Sequence, residues 1–288
     1  MDAAFRTACL KGNAVVLDAL LREGGIAQKV ANEHGHTGLH LSCGEGHADC
    51  VQLLIAANAN VNQARKDGET PLHVACDHGR ADCAQLLIAA NANVIEADKN
   101  GATPLYAACS HGRADCAQLL IAANATVDQA DNDGATALYA ACSNGHADCA
   151  QLLIAANANV DQADKNGVTA LHTACGHGHA DCAQLLIAAN ANVDRADKNG
   201  ITSLYISCSR SHANCAQLLI AAKANVDEAD KNCATPLYVA CIKGHADCAQ
   251  LLIAAHANVD EADNDGTTSL YTACSHDQAD CAQLLIAA

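Results

Sequence analysis

The stretch from Asp98 to Ala130, DKNGATPLYAACSHGRADCAQLLIAANATVDQA, returns with nearly the same letters every thirty-three residues. Its turn glycine, Gly101, marks the register. The same position is held in the other copies by Gly35, Gly68, Gly134, Gly167, Gly200, Cys233 and Gly266. No insertion or deletion interrupts this register from residue 32 to the C-terminus. A fixed period of this length indicates a solenoid, in which one small unit stacks on copies of itself.

The repeat predicts a single domain over residues 1–288, although the length alone would suggest about two globular domains. Eight repeats in register begin near residues 32, 65, 98, 131, 164, 197, 230 and 263, and the last is truncated within its second helix. Residues 1–31 form a degenerate leading repeat that is more polar and varied than the others. We interpret it as an N-terminal cap, because the end of a stack needs a wettable face.

Composition narrows the class of partner. The formal charge of −16 disfavours nucleic acid, because phosphate binding needs clustered Lys and Arg. No apolar run approaches the ~20 residues of a membrane span, so we expect no membrane insertion. The first residues lack a basic segment followed by a long apolar stretch, which is the pattern of a secretory signal. We therefore expect a cytoplasmic protein, with the nucleus as the alternative.

Eighteen cysteines raise the question of a disulfide scaffold. Sixteen of them occupy two fixed slots per repeat, as Cys76 and Cys83 do, and only Cys9 and Cys233 lie outside these pairs. Equivalent cysteines in stacked repeats should lie about 10 Å apart, the spacing of packed helices. A disulfide needs Cα atoms within about 7 Å. We therefore predict free thiols that pack as small hydrophobic side chains.

Each repeat predicts the same local structure. In the copy quoted above, Gly101 closes a turn, and Thr103 is placed to cap a first helix over residues 104–111. A second helix is predicted over residues 114–123, followed by Asn124, the best residue after glycine for a left-handed conformation. Later copies depart from this pattern. Cys233 replaces the turn glycine, and Ser211 and Asp277 replace the glycine that ends the first helix.

The segment Gly68-Glu69-Thr70-Pro71-Leu72-His73-Val74-Ala75 matches the pattern Gly-x-Thr-Pro-Leu-His-x-Ala at every position. With the short helix, Gly-His, second helix and Ala-Asn-Val that follow in most copies, the chain resembles the ankyrin repeat over essentially its whole length. The resemblance implies an all-α, right-handed α-solenoid of paired antiparallel helices joined by short β-hairpin loops. It also implies a non-catalytic scaffold that binds another protein through the hairpin tips and the concave face of the first helices.

Comparing the copies with one another separates a constant face from a variable one. At 100° per residue, Leu105 and Cys109 of the first helix fall on one near-constant arc, while Ser110 and His111 lie opposite. The outward positions of the second helix repeat as Asp and Gln, so we interpret that face as the solvated back. The variable positions predict the recognition surface, and neutral drift at exposed positions is the alternative.

The predicted partner-binding residues form three sets. The first precedes the turn glycine and comprises Asp67, Asn100, Asp133, Asn166 and Asn199. The second follows that glycine and comprises His36, Glu69, Ala102, Ala135, Val168 and Ile201. The third lies at the end of the first helix and comprises His78, His111, Asn144, His177, Arg210 and Lys243.

Fifteen histidines raise the alternative of a metal site. A zinc site needs four ligands that converge on one tetrahedron, whereas a periodic series spreads them along the stack. We therefore expect no metal and no other cofactor. Phosphate-binding and zinc-protease motifs are absent from the sequence. Cys76 and His78 are close in sequence but point to opposite faces, so we expect no catalytic pair.

The chain stops inside a second helix at QLLIAA, with no capping substitutions. An apolar terminal face exposed to water favours association. This observation predicts stacking or self-association through the C-terminal end. The alternative is that the chain is the targeting arm of a larger protein with an effector domain beyond residue 288.

Overall fold

The computed structural model describes residues 3–24 and 31–288. These residues form eighteen α-helices of seven to eleven residues and no β-strand longer than an isolated bridge. The helices are α1 (Ala3–Lys11), α2 (Ala14–Gly24), α3 (Gly38–Glu45), α4 (Ala48–Ala56), α5 (Pro71–Asp77), α6 (Ala81–Ala89), α7 (Pro104–Ser110), α8 (Ala114–Ala122), α9 (Ala137–Ser143), α10 (Ala147–Ala155), α11 (Ala170–His177), α12 (Ala180–Ala188), α13 (Ser203–Ser209), α14 (Ala213–Ala221), α15 (Pro236–Lys243), α16 (Ala246–Ala254), α17 (Ser269–Ser275) and α18 (Ala279–Ala287).

The chain divides into two compact halves. The first half comprises Met1–Ala141 with Ala155–Ala158, and the second comprises Cys142–Ile154 with Asn159–Ala288. In the first half, α1, α3, α5 and α7 pack in succession, and α2, α4, α6 and α8 pack beside them. In the second half, α11, α13, α15 and α17 form one layer, and α12, α14, α16 and α18 form the other. Each half is therefore an all-α solenoid of stacked helix pairs, as predicted.

The first helix of each repeat begins where its threonine predicts. In α7, Thr103 Oγ1 accepts a hydrogen bond from Tyr106 N at 3.2 Å, and Pro104 occupies the first turn. This satisfies one of the unpaired N–H groups at the helix start, and proline there lacks a donor that would have no partner. Both α7 and α8 end one residue earlier than predicted, because His111 and Ala123 occupy the C-cap position.

The loops between repeats are tight turns rather than extended ribbons. Asp98 N donates to Ala102 O at 2.9 Å, which closes one turn. Three isolated antiparallel bridges mark the predicted hairpins in the second half: Ala163–Thr169, Ala196–Thr202 and Ala262–Thr268.

Several residues other than glycine take a left-handed backbone conformation at the predicted positions. Asn124 has φ of 61°, and Ser211, Cys233 and Asp277 have φ of 63°, 61° and 57°. This region favours glycine because an L-residue places its Cβ close to the following carbonyl. Cys233 therefore adopts a conformation that glycine fills without strain in the other turns.

The core consists of leucine, alanine and cysteine. Leu72, Leu105 and Leu204 are at most 1% exposed, and every cysteine is free. Sixteen cysteines are buried, and Cys233 and Cys274 are exposed. The sixteen buried cysteines confirm the prediction of free thiols that pack as small hydrophobic side chains, and Cys274 departs from it.

Thiols of adjacent repeats nevertheless meet, which the sequence comparison of equivalent positions missed. The two different cysteine slots come together across several repeat boundaries, as Cys43 with Cys83 and Cys76 with Cys116. The hydrogen bond to Cys83 and burial hold the pKa of the Cys43 thiol well above its ordinary value. Such thiols stay protonated at neutral pH and act as packing groups.

The two ends of the described chain differ from the interior. In the leading repeat, Phe5, Ala8 and Cys9 are buried, while Val15 is 82% exposed. The predicted cap spans residues 1–31, of which 1–2 and 25–30 lie outside the described residues. In the last repeat, Tyr271 and Ile286 are 66% and 74% exposed.

Candidate partner-binding surface

The predicted residues before the turn glycine stand at the loop tips. Except at Asp67, whose turn begins with Arg65, their position is fixed by an aspartate at the start of the turn. Asp98 Oδ1 accepts hydrogen bonds from the backbone N of Asn100 and of Ala102, both at 2.8 Å. This side chain holds the turn closed and turns the next residues outward. The tip residues are all exposed, namely Asp67, Asn100, Asp133, Asn166 and Asn199.

The predicted residues after the turn glycine are less accessible. Five of them are half-buried, namely His36, Glu69, Ala102, Val168 and Ile201. The sixth, Ala135, is only 7% exposed. Its backbone N donates to Asp131 Oδ1 at 2.9 Å, so the residue closes its own turn. Ala135 therefore presents almost no surface to a partner.

One turn carries an ionic network that the sequence analysis missed. Arg65 contacts Asp67 at 2.7 Å and also pairs with Glu69, and its Nη1 lies 3.3 Å from His36 Nε2. The arginine side chain is only 18% exposed. The signal was present in the sequence, because Arg65 occupies the slot that holds aspartate in the six following repeats, as Asp98 does.

The network changes the titration of its members. Burial raises the pKa of the Glu69 carboxyl, although Arg65 opposes the effect. Burial and the positive charge of Arg65 lower the pKa of His36. The structure thus brings together three predicted residues, His36, Asp67 and Glu69, around one half-buried guanidinium.

The predicted residues at the end of the first helix are all exposed. They are His78, His111, Asn144, His177, Arg210 and Lys243. In the first half, His111 Nδ1 lies 2.9 Å from Asp77 Oδ1, and His78 Nδ1 lies 3.3 Å from Asp77 Oδ2. The two imidazoles therefore share one carboxylate.

Other histidines lie inside the repeats and hold them together. His73 Nδ1 accepts the backbone N–H of Thr70 at 3.1 Å, and its Nε2 lies 3.1 Å from Ala102 O of the next repeat. His40 and His172 make the same pair of contacts. Burial lowers the pKa of His40 to about 4. These side chains are neutral structural links rather than ligands for a metal.

Tyrosine fills the same position in other repeats. Tyr238 OH donates to Asp263 Oδ2 at 2.8 Å, and Tyr205 OH donates to Asp230 Oδ2 at 3.4 Å. Burial and the nearby Asp230 raise the pKa of Tyr205 to about 12. Tyr205 and Tyr238 therefore act as protonated donors between repeats.

The described part of the chain contains neither a group of metal-binding side chains nor a helix suited to cross a membrane. Within residues 3–24 and 31–288, no three His, Cys, Asp or Glu side chains are grouped so that they could hold a metal ion. None of the helices there has the length and apolar character needed to cross a bilayer.

A cleft of about 450 Å³ lies beside His78, Arg80, Arg113 and Asp115.

Comparison with known proteins agrees with this architecture. A family model described as ankyrin repeats (3 copies) matches residues 5–98, 90–164, 156–230 and 222–288. The chain is similar to the ankyrin repeat domain of human ASB11, with a TM-score of 0.67 and 29% identity over 76% of this chain and 97% of that one.

Curated relatives match over a shorter stretch. Cortactin-binding protein 2 of Oryctolagus cuniculus is 41% identical over 63 residues, and that of Mus musculus is 38% identical over 63 residues. These matches cover 22% of this chain, which spans only 4% of the length of those relatives. Ankyrin repeats form protein–protein interaction domains, in accordance with the exposed variable residues described above. Because the family model matches nearly its whole length, the chain belongs to the ankyrin-repeat family.

Proposed function

We propose that this chain is a non-catalytic scaffold that binds another protein through its turn tips and the exposed ends of its first helices. One observation carries the proposal. The repeats share their buried leucines, cysteines and threonines, and they differ at exposed positions such as His78, His111 and Arg210. Specificity has to arise where the copies differ, because a uniform face offers every ligand the same contacts at each repeat.

The back of the solenoid provides the internal contrast. The second helices repeat Asp and Gln at their exposed positions, as Asp82 and Gln85 or Asp115 and Gln118 do. These side chains are as accessible as His78, yet they scarcely vary. Both faces are therefore exposed, and they differ in how much their residues vary among the repeats.

The relatives supply the class of function and not the partner. Their similarity to this chain extends over 63 residues, about two repeats, where the shared scaffold dominates. We therefore assign to this chain a protein partner of its own, selected by the variable residues. The free thiols of all eighteen cysteines fit a reducing compartment, so we place the interaction in the cytoplasm or the nucleus.

Affinity capture from the source cells tests the proposal. The first variant, called the front variant, carries alanine at four exposed residues at the ends of the first helices, His78, His111, His177 and Arg210. The matched control, called the back variant, carries alanine at four exposed residues of the second helices, Gln85, Gln118, Gln184 and Gln217. We expect the front variant to lose the proteins that the unmodified chain retains, and the back variant to keep them.

Two results would contradict the proposal. One is retention of the same proteins by the front variant. The other is equal loss from both variants when circular dichroism shows that both are folded.

A further inference from the structure

The second half carries a row of basic side chains on its exposed helix ends. The basic row, as we name it, consists of His177, Arg210, Lys243 and His276, one from each successive repeat. All four are exposed. Three half-buried histidines lie beside them two positions further on, namely His179, His212 and His245. This concentration of basic groups stands out on a chain with a net charge of −16.

The row is held in place by the preceding repeat. Arg210 Nη1 donates to Gly176 O at 3.0 Å, and His212 Nε2 lies 3.2 Å from the same oxygen. Lys243 Nζ donates to Ser209 Oγ at 2.8 Å. One donor of each cation is thereby fixed, which orients the side chain. A guanidinium has five donors and an ammonium three, so most of their donors stay available to a ligand.

One carboxylate that accompanies the equivalent residues of the first half is missing here, although Asp277 follows His276 at the end of the row. Three repeats earlier, Asp77 occupies the position of Gly176 and pairs with His78 and His111. Asp115, beside the cleft in the first half, corresponds to Asn214, whereas the neighbouring repeats keep the carboxylate as Asp181 and Asp247. Among the residues that the structure describes, no member of the basic row forms an ion pair.

The surroundings of His212 report the resulting electrostatic environment. Its pKa is lowered by burial first, and then by the positive charges of Arg210, His177 and His179. The rings of His177 and His179 are stacked, with centroids 6.0 Å apart. Side chains that would repel one another when protonated are thus gathered at one place. A negatively charged ligand would relieve that repulsion.

The geometry also fixes the spacing of such a ligand. Equivalent positions of packed helices lie about 8–10 Å apart. A peptide in the polyproline II conformation has three residues per turn and rises about 3.1 Å per residue, so every third side chain lies on one face, about 9 Å from the last, and meets a new repeat. We propose that the basic row binds an acidic segment of the protein partner, in which aspartate or glutamate recurs at every third residue. This inference rests on the proposed function, because it assigns the chemistry of the same partner.

A labelled peptide tests the inference without knowledge of the partner. The probe is fluorescein-labelled Glu-Ser-Gly-Glu-Ser-Gly-Glu, and the control peptide has glutamine in place of each glutamate. We expect saturable binding of the glutamate peptide by fluorescence anisotropy, weakened by added salt. The double variant R210Q/K243Q should bind at least tenfold more weakly.

Two further variants separate this site from the overall charge of the chain. R80Q/R113Q removes two positive charges from exposed residues of the first half, at a slot where the last repeat has Gln278. It should alter the affinity less than twofold. S209D places a carboxylate against Lys243, as Asp77 does in the first half, and should weaken binding at least fivefold without removing a cation.

Several results would overturn the inference. They are equal binding of the glutamate and glutamine peptides, equal loss in the two double variants, unchanged binding by S209D, and binding of a phosphoserine peptide with none of the glutamate peptide. The proposed function is judged separately by the capture experiment. A partner that R210Q/K243Q still retains would contradict only the acidic-segment inference.

Discussion

Two kinds of junction connect successive repeats, and they use the same position of the first helix differently. At the histidine junctions, the ring of His73 bridges the start of its own helix and the backbone of the following turn. At the tyrosine junctions, Tyr238 reaches past the turn backbone to the side chain of Asp263. A histidine junction therefore needs only a backbone carbonyl, whereas a tyrosine junction needs a particular residue in the next repeat.

The difference shows that one repeat pattern tolerates two chemistries with different dependence on pH. The histidines are neutral in the folded chain because burial lowers their pKa, to about 4 for His40. Tyr205 and Tyr238 are protonated because burial raises their pKa, to about 12 for Tyr205. Acid should therefore break the first kind of junction and leave the tyrosine donors intact.

The largest expected effect is loss of stability in acid through the histidine junctions. The pKa of His40 is below its ordinary value of 6.5 in the folded chain, so the unfolded chain binds the proton more tightly. Stability from this residue is complete above pH 6.5 and falls as the pH decreases toward 4. The loss from His40 is about 1.4 kcal/mol per pH unit in this range, and it reaches about 3 kcal/mol near pH 4.

Urea denaturation at several pH values measures this slope. The control is H40Q, because glutamine at this position can still complete the capping box with Thr37. We expect the free energy of unfolding of H40Q to depend less steeply on pH between 6.5 and 4 than that of the unmodified chain. Parallel slopes would show that His40 is not the responsible group.

Removing a histidine junction outright should have the next largest effect. H73A leaves the buried N–H of Thr70 without a partner and removes one of the two hydrogen bonds to the carbonyl of Ala102, which keeps the N–H of Asp98. We expect a loss of about 2 kcal/mol in the free energy of unfolding, measured in urea at pH 7.5. Y238F should cost less, because it removes one hydroxyl whose partner, Asp263, can turn to water. A larger loss from Y238F than from H73A would reverse the comparison.

Exchanging one junction type for the other tests what each requires. A tyrosine at position 73 would find Asp98 at the start of the next turn, as Tyr238 finds Asp263. A tyrosine at position 40 would find Arg65 instead, because this turn departs from the pattern. We expect H40Y to be about 1 kcal/mol less stable than H73Y by urea denaturation at pH 7.5. Equal stabilities would show that the aspartate is unimportant.

The sequence predicted what depends on one repeat and missed what depends on two. The capping by Thr103 and the left-handed Asn124 follow from local backbone chemistry, and both were predicted. The contact of Arg65 with His36 and the contact of Cys43 with Cys83 join different slots of different repeats. Comparing equivalent positions marks Arg65 as unusual but could not reveal these contacts, because they depend on the offset between stacked repeats.

The predicted surface shows the same division. Exposure at the helix ends followed from the 100° rotation per residue, so His78 and Arg210 lie where the pattern placed them. Ala135 was selected because its position varies among repeats, yet its side chain is buried in its own turn. Variation marks a slot, and only the three-dimensional structure shows how much of that slot a partner could reach.

The smallest expected effect distinguishes two junctions of the same kind. The Tyr205–Asp230 contact is 3.4 Å long, and the Tyr238–Asp263 contact is 2.8 Å long. The longer contact leads to the turn in which Cys233 has φ of 61°, whereas Gly266 fills that position after the shorter one.

C233G relieves the left-handed strain at this position and should stabilise the chain by about 0.5 kcal/mol. Hydrogen exchange provides the local measurement, since amides from Ser211 to Cys233 should exchange faster than those from Gly101 to Asn124 and slow in C233G. Equal protection of the two segments in the unmodified chain would show that Cys233 adds no strain at this junction.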